Sequence, residues 1–472
     1  MARFTQGLRT QDKEIQLDSL PVQGALPAWL AGTLVRVTPA QFEVNGASYR
    51  HWFDGLAMLH AFTFGGGHVS YVNRYLQSPA YRENNEEGRI KYAEFATDPC
   101  RNFFGRVFSF FTAPKFGVNA NVTVTRLADD YIARTEIPIS VKFDPKTLET
   151  LDLHKHEGSK GQITTAHPHY DRGRNVVYNY QLELGRHNMY RIYGMRGSKN
   201  PGQIAEMPVD KPAYMHSFGM SEGYLILTEF PLKLPSSLAL LLRNRPFIEN
   251  YKWMPEEGTR ITVFDKNTGE VVTQTTAEPF FAFHHINAFE RDGELLFDLA
   301  AYDNPSIIQQ LYMENLTADD ANVRLDSQVR RYRVPLAHSG RPSSETVSEL
   351  GFELPRYDYE RYAGKPYRIV FGVGNRSGTN DFINQLVQLD VESGESKTWY
   401  EDGMYPGEPV FVPKPGASAE NDGLILSVVL DGAQGRSFLL LLDAKSFEEQ
   451  GRAEVPQHIP FGFHGDFFGE LK

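Results

Sequence analysis

The sequence predicts an all-β fold, a seven-bladed β-propeller in which residues 1–472 form a single domain. Its 40 Gly, 28 Pro, 23 Tyr and 32 Phe indicate many short strands and turns instead of long helices. Two further observations support this prediction. A heptapeptide recurs four times, and four histidines are spaced by multiples of one blade.

The heptapeptide contains an apolar residue, Asp, two variable positions, Thr or Ser, one variable position and Glu. Its copies begin at Phe143, Phe264, Leu389 and Leu442. Since the Asp and Thr or Ser side chains can bond the local backbone, each copy predicts a β-hairpin corner. The spacings of 121, 125 and 53 residues fit a unit of about 60 residues that is sometimes skipped. Units of that length give seven or eight blades, and we expect seven.

Composition excludes several classes of protein. With 48 basic and 59 acidic side chains, the formal charge of −11 argues against nucleic acid as a partner. The single cysteine, Cys100, excludes an intramolecular disulfide. The chain shows neither an apolar signal segment near its start nor a run of about 18 apolar residues. We therefore expect a cytoplasmic protein, and no obligate protein partner is evident.

Two segments interrupt the strand pattern. Residues Asp98 to Gly117 carry seven Phe or Val side chains beside two arginines and a lysine, and Leu232 to Phe247 combine a short apolar run with two arginines. Apolar surface bordered by cations is typical of a protein that lies on a membrane interface. On this pattern alone, an ordinary buried insertion is equally consistent.

Four histidines lie in apolar or small-residue strings, as expected where strand ends turn into a core: His167, His216, His284 and His464. Their separations of 49, 68 and 180 residues are near one, one and three blade lengths. Since equivalent strands of a propeller converge on its axis, these side chains could bind one ion. Neutral imidazole suits iron, copper, zinc and nickel, so ligand type leaves the metal open. The adjacent His169 and His285 leave a choice of ligand at two positions.

Several strings around these residues resemble the carotenoid cleavage oxygenases, seven-bladed propellers that are non-haem iron(II) enzymes. The resemblance covers nearly the whole chain and is closest to the animal-type branch of β-carotene oxygenases and the retinoid isomerase. The strings include YRHWFDGLAMLHAF from Tyr49, DPCRNFFGRVFSFF from Asp98, TAHPHY from Thr165, YMHSFG from Tyr214, FHHINAFE from Phe283, YPGEPVFVP from Tyr405 and IPFGFHG from Ile459.

The resemblance implies an iron site and the residues around it. The implied Fe(2+) ligands are His167, His216, His284 and His464, the first histidine of each pair. Three glutamates would accept protons from ligand imidazoles and aim them at the metal: Glu136, Glu353 and Glu408. Helical and loop insertions would cap the top face of the propeller over the iron, and a hydrophobic tunnel would be lined by Phe283, Tyr302 and Tyr214. Close relatives can carry Trp where Tyr302 stands.

The implied reaction is oxidative scission of a conjugated C=C bond by O2, which gives two carbonyl products without an external reductant. The expected substrate is a lipophilic polyene, a carotenoid or apocarotenoid, cut at the central 15,15′ bond to give retinal-type aldehydes. Eccentric 9,10 cleavage and ester-cleaving isomerisation of a retinyl ester on the same scaffold are the alternatives. The resemblance also favours peripheral membrane contact around the tunnel mouth, and Cys100 stands where animal relatives carry a cysteine that can be lipidated.

Overall fold

The computed structural model describes residues 2–98, 117–155, 158, 160–196, 202–236, 245–318, 321, 323–337, 340–379 and 381–471. Seven antiparallel sheets form the blades of a β-propeller, which confirms the predicted fold. We number the blades in chain order. Blades 2 to 6 are each built from strands that follow one another along the chain, whereas blades 1 and 7 each also contain one strand from the opposite end of the chain.

The strands of the first four blades are as follows. Blade 1 contains Gln16–Leu17, Gly32–Gln41, Leu56–Gly65, His68–Tyr75 and Gly465–Phe468. Blade 2 contains Thr123–Leu127, Asp130–Arg134, Ile139–Phe143 and Thr150–Lys155. Blade 3 contains Ile163–Thr164, His169–Asp171, Val176–Glu183, Asn188–Met195 and Gly202–Val209. Blade 4 contains Gly219–Met220, Tyr224–Glu229, Thr259–Asp265 and Val271–Ala277.

Three further blades complete the ring. Blade 5 contains Phe281–Arg291, Glu294–Tyr302, Gln328–Pro335 and Ser343–Ser348. Blade 6 contains Glu353–Arg356, Ile369–Gly374, Gln385–Asp390 and Ser396–Tyr400. Blade 7 contains Met404–Pro406, Val410–Pro413, Gly423–Asp431, Arg436–Asp443, Glu449–Glu454 and Val22–Gly24. Two small hairpins lie outside the blades, Glu43–Val44 with Ala47–Ser48 and Leu232–Lys233 with Lys252–Trp253.

Helices occur only as short insertions in the described part of the chain. The α-helices are α1 (Pro79–Glu87), α2 (Ser306–Gln310), α3 (Met313–Leu316) and α4 (Tyr359–Tyr362). The 3-10 turns are Arg3–Leu8, Trp52–Asp54, Ile248–Asn250 and Pro255–Glu257. In α1, the Ser78 hydroxyl accepts a hydrogen bond from the Tyr81 N–H, which caps the helix at its N-terminus.

The recurring heptapeptide forms the predicted hairpin corners. Its copies join the last two hairpin strands of blades 2, 4, 6 and 7, where Asp Oδ1 accepts two backbone N–H bonds, as Asp144 does at 2.8 Å from Lys146 and Thr147. The sixth position has a positive φ in every copy, at Leu148, Gly269, Gly394 and Phe447. The two longer spacings therefore span two blades each, and the short one spans a single blade.

Both ends of the chain close the ring. Gly465–Phe468 pairs with Gly32–Gln41 and becomes the innermost strand of blade 1. Val22–Gly24 pairs with Glu449–Glu454 on the outer edge of blade 7. Blades 1 and 7 are therefore each held together by pairing between residues more than 400 positions apart in the sequence.

Each blade is packed against a neighbour on both faces, which explains strands without apolar alternation. Leu439, Leu440, Leu441 and Leu442 are all fully buried. Leu440 and Leu442 belong to the largest apolar cluster, whereas Leu439 and Leu441 belong to a second cluster on the opposite face. Burial of each leucine stabilises the fold by roughly 1.5–3 kcal/mol relative to exposure.

Candidate metal centre

The four histidines selected from the sequence lie at the inner ends of four blades. His284 belongs to the innermost strand of blade 5, and His216 precedes the innermost strand of blade 4. His464 immediately precedes the strand that closes blade 1, and His167 lies between the two short inner strands of blade 3. The blade spacing inferred from their sequence separations is thus present in the fold.

The four imidazoles meet in a compact cluster. One ring nitrogen from each lies within 4.8 Å of the other three. His167 Nε2 is 2.9 Å from His216 Nε2, and His284 Nε2 is 3.2 Å from His464 Nε2. Metal–nitrogen bonds of about 2.1 Å place adjacent ligand nitrogens of an octahedron about 3 Å apart, so these distances suit a single ion.

Three glutamates bond the outer nitrogens of three of these imidazoles. His216 Nδ1 lies 2.7 Å from Glu136 Oε1, His284 Nδ1 lies 2.5 Å from Glu353 Oε2, and His464 Nδ1 lies 2.8 Å from Glu408 Oε1. Because each carboxylate accepts a hydrogen bond from Nδ1–H, the proton stays on Nδ1 and the Nε2 lone pair is directed into the cluster. Glu136, Glu353 and Glu408 come from blades 2, 6 and 7, so every blade supplies one member of this arrangement.

The protonation pattern of the cluster matches that of a metal site. Burial, followed by the neighbouring histidines, lowers the pKa of His167 well below its ordinary value, and burial lowers that of His464 to about 4. His284 and His464 both direct Nδ1 to a carboxylate, so their Nε2 lone pairs face each other at 3.2 Å. A cation between them would convert this repulsion into coordination. The donor set therefore fits a divalent transition metal.

Glu408 is buried beside cationic groups that the sequence did not reveal. Arg36 Nη1 lies 3.2 Å and Arg356 Nη1 3.7 Å from its carboxylate, and the Gly465 N–H donates to it at 2.9 Å. Burial opposes ionisation of Glu408, yet Arg356, the hydrogen bond from His464 and Arg36 together lower its pKa to about 2. Glu408 is thus an anion at neutral pH although it has no exposed surface.

Two tyrosines predicted as tunnel walls also hydrogen-bond the carboxylates. Tyr302 Oη donates to Glu353 Oε1 at 2.8 Å, and Tyr214 Oη donates to Glu136 Oε1 at 3.1 Å. Burial first, and then the adjacent glutamate, raises the pKa of both phenols well above the ordinary value. Each phenol therefore remains protonated and completes a Tyr–Glu–His chain that ends in the cluster.

An apolar cavity opens beside the cluster. Phe283, Tyr302 and Tyr214 line it together with His216, His284 and His464. Aromatic and aliphatic groups supply most of the remaining wall: Trp52, Phe53, Phe95, Ile307, Leu311 and Phe463. Trp52 and Phe53 come from the turn before the third strand of blade 1, and Ile307 comes from α2. The three residues expected at a tunnel therefore share one cavity with three of the four histidines.

Comparison with known proteins identifies the family. A family model described as "Retinal pigment epithelial membrane protein" (RPE65) matches residues 8–469. This chain belongs to the RPE65 family. It is 37% identical to "Carotenoid-cleaving dioxygenase, mitochondrial" of Mustela putorius furo over 98% of this chain and 95% of the relative. It is 36% identical to "Beta,beta-carotene 15,15'-dioxygenase" of Rattus norvegicus over 97% of this chain and 90% of the relative. The resemblance to carotenoid cleavage oxygenases is confirmed.

Solved structures support the same fold. Cobalt-substituted Synechocystis ACO superimposes with a TM-score of 0.88 at 24% identity and covers 99% of this chain and 98% of its own. An ACO/RPE65 chimera gives a TM-score of 0.87 at 24% identity with the same coverage. At this identity the similarity establishes the propeller architecture.

The two ambiguous histidine pairs differ clearly in their surroundings. His169 contacts the Tyr359 hydroxyl at 3.0 Å and the Phe218 carbonyl at 2.8 Å, and it is not a member of the four-histidine cluster. His285 contacts the Ser217 and Thr228 hydroxyls, both at 2.9 Å. Both are satisfied structural residues. The structure brings the first member of each pair into the cluster.

The two segments proposed for membrane contact fall largely outside the described residues. The residues of these segments that the structure does not describe include Cys100, all the aromatic side chains from Phe103 to Phe111, and residues 237–244. Among the helices that the structure describes, none is long and apolar enough to cross a bilayer.

Proposed function

We propose that this RPE65-family chain is a non-haem iron(II) dioxygenase that cleaves a conjugated C=C bond of a carotenoid or apocarotenoid. One O2 is consumed, each carbon of the broken double bond receives one oxygen atom, and two aldehydes are released. The observation that carries the proposal is a cluster of four imidazoles, three of which line an apolar cavity. The high identity to curated dioxygenases over almost the whole chain supports the same chemistry.

His167, His216, His284 and His464 would hold the iron. When bound, iron(II) supplies the redox chemistry that allows dioxygen to react with a closed-shell polyene. Four neutral imidazoles would not balance the positive charge of the ion. Glu136, Glu353 and Glu408 would supply negative charge one step further out, since each accepts a hydrogen bond from the Nδ1–H of one ligand. The Tyr214 and Tyr302 hydroxyls would hold two of these carboxylates in place.

The cavity wall would bind and position the polyene. A hydrocarbon chain offers no polar group to the protein, so the bond that reacts is set by shape and by the depth of insertion. Phe283 stacks edge-on against both His216 and Tyr302, at centroid distances of 5.5 and 6.3 Å. A substitution at Phe283 would therefore change the space directly beside the histidine cluster.

Central 15,15′ cleavage is the proposed position of attack. The test is incubation of the iron-loaded protein with detergent-dispersed β-carotene, a β-apocarotenal and a retinyl ester, each in a separate reaction under ¹⁸O2, with mass spectrometry of the products. Retinal-type aldehydes with one ¹⁸O in each fragment are expected. Fragments from the 9,10 bond would assign eccentric cleavage, and release of an alcohol from a retinyl ester without ¹⁸O would assign isomerohydrolase chemistry. Intact substrates would contradict an enzymatic role.

A matched pair of variants connects the products to the cluster. His216→Ala removes a member of the cluster, whereas His169→Ala removes a nearby half-buried histidine that hydrogen-bonds Phe218 and Tyr359. Product formation should be lost in the first variant and retained in the second. Equal activity in the two variants would remove His216 from the proposed ligand set.

We further propose that the protein associates with membranes peripherally and that residues 1–472 form one domain. The aromatic and cationic segment around Phe103 to Phe111 supports the first statement, and the pairing of both chain ends within one ring supports the second. The expected cytoplasmic location stays a prediction.

A further inference from the structure

A second cavity, separate from the histidine cluster, lies between blades 2 and 3. Arg134 contributes to its wall from blade 2, and Asn179, Gln181 and Tyr193 contribute from blade 3. The space open to the centre of a water-sized particle is about 10 Å³, which is room for one water molecule or one small ion. The four side chains are all buried.

Arg134 is a buried cation that forms no ion pair in the part of the chain that the structure describes. Its side chain is 4% exposed, and its one side-chain hydrogen bond runs from Nε to Thr125 Oγ1 at 3.1 Å. Within the described residues, no carboxylate forms an ion pair with it. Burial lowers its pKa to about 10, which still leaves it charged at neutral pH. Burial of an uncompensated charge is strongly unfavourable, so the terminal N–H groups of Arg134 require an acceptor.

Other groups around the cavity are also donors. The Tyr193 hydroxyl is buried without a hydrogen-bond partner. Gln181 Oε1 accepts from the Gly161 N–H at 3.0 Å, which leaves the amide NH2 of Gln181 as its unused group. Asn179 is already satisfied, because it donates to the Thr165 carbonyl and accepts from the Tyr180 N–H. The described wall therefore offers one positive charge and several donors without a carboxylate to receive them.

We propose that this cavity binds a single halide ion, chloride in ordinary buffers, with Arg134 as its counter-charge. A halide accepts hydrogen bonds from all sides and donates none, which matches the excess of donors. A water molecule would satisfy at most two of those donors, would bring two hydrogens of its own and would leave the Arg134 charge uncompensated. The small volume disfavours polyatomic anions such as phosphate.

The ion would also hold the segment that leads to the metal centre. Arg134 ends its strand two residues before Glu136, the carboxylate bonded to His216. Thr164 lines the halide cavity and donates its backbone N–H to the Glu136 carbonyl at 2.9 Å. A bound halide would therefore hold the strand end that leads to Glu136. The site itself does not depend on the proposed enzymatic function.

The first test is thermal unfolding of the full-length protein in sodium gluconate that is replaced stepwise by sodium bromide at constant ionic strength. A ligand that binds only the folded state at ten times its Kd should raise the Tm of a chain this long by about 1.5 °C, and above Kd the rise should continue with the logarithm of the bromide concentration. Arg134→Met should abolish the rise, and Tyr193→Phe should weaken it. In gluconate, Arg134→Met should be at least as stable as wild type because it removes the uncompensated charge.

Arg126→Met serves as the matched control, since Arg126 lies on the same blade but is paired with Asp129 at the surface. It should keep the full bromide response. An equal bromide response in wild type and Arg134→Met would overturn the proposal. The second test is anomalous diffraction from bromide-soaked crystals of the wild type, which does not require a variant to fold. A bromide peak beside Arg134 and Tyr193 is expected, and a water molecule only, without anomalous signal, would overturn the assignment.

Discussion

Replacement of Glu353 and of Glu408 by glutamine should have different effects on stability although both carboxylates bond a histidine of the cluster. Glu353 contacts His284, the Tyr302 hydroxyl at 2.8 Å and the Leu354 N–H at 3.1 Å, and no arginine forms an ion pair with it in the described residues. Glutamine can keep one acceptor for these donors. Glu408 instead lies beside Arg36 and Arg356, which would lose their buried anion.

The size of the difference follows from the environment of Glu408. The lowering of its pKa from the ordinary 4.5 to about 2 corresponds to about 3 kcal/mol at neutral pH. Loss of one partner from a buried ion pair costs a similar ~3–5 kcal/mol. For a chain of this length, 3 kcal/mol lowers Tm by about 3 °C. Glu353→Gln should cost about 1 kcal/mol, or about 1 °C.

The contribution of Glu408 to the free energy of unfolding should also depend on pH. Because the pKa of Glu408 is lower in the folded state, its contribution is complete above about pH 4.5 and is lost as the pH falls toward 2. Glu408→Gln should therefore remove part of the acid dependence of stability. Both variants should bind metal about 10–100-fold more weakly, because each loses the negative charge behind one ligand.

The assay is thermal unfolding of the metal-free proteins between pH 3 and 7, followed by anaerobic iron(II) titration against a competing chelator. A Tm loss that is two or more times larger for Glu408→Gln is expected. Equal losses of Tm in the two variants would refute the argument from Arg36 and Arg356. Unchanged iron affinity in both would refute the role assigned to the carboxylates.

Three further predictions concern the site and the membrane. His216→Ala should lose iron in desalting followed by metal analysis, with His169→Ala as the control that keeps it; retained stoichiometry in the first would exclude His216 as a ligand. Tyr302→Phe removes the hydroxyl that donates to Glu353 and should lower kcat several-fold, measured by product formation. Circular dichroism should show an intact fold. An unchanged kcat would mean that Tyr302 only lines the cavity. Deletion of residues 103–111 should lower recovery with liposomes in flotation, and undiminished recovery would contradict peripheral attachment through this segment.

The blade count was predictable because its signal is local. The Asp and Thr or Ser of each heptapeptide bond backbone groups two or three residues away, so the same chemistry leaves the same letters in blades 2, 4, 6 and 7. The histidines were predictable as candidates for a related reason. Equivalent positions in different blades of a propeller face the same axis. Histidines separated by one, one and three blade lengths were therefore expected to lie together.

The supporting contacts were not predictable from local patterns. Arg36 reaches Glu408 across 372 residues, and the Tyr302 hydroxyl reaches Glu353 across 51 residues from the adjacent blade. Neither contact leaves a motif in the sequence, since each depends on how two blades pack. Arg134 has no ion-pair partner in the described residues, and that fact becomes visible only once its surroundings are known.

X-ray absorption spectroscopy of the protein reconstituted anaerobically with iron(II) tests the central claim most directly. Four imidazole ligands at about 2.1 Å and one iron per chain are expected, and His216→Ala should lose an imidazole or the metal itself. A spectrum with fewer than four imidazoles in the unmodified protein, or a chain that retains no iron after desalting, would contradict a metal centre built from four blades.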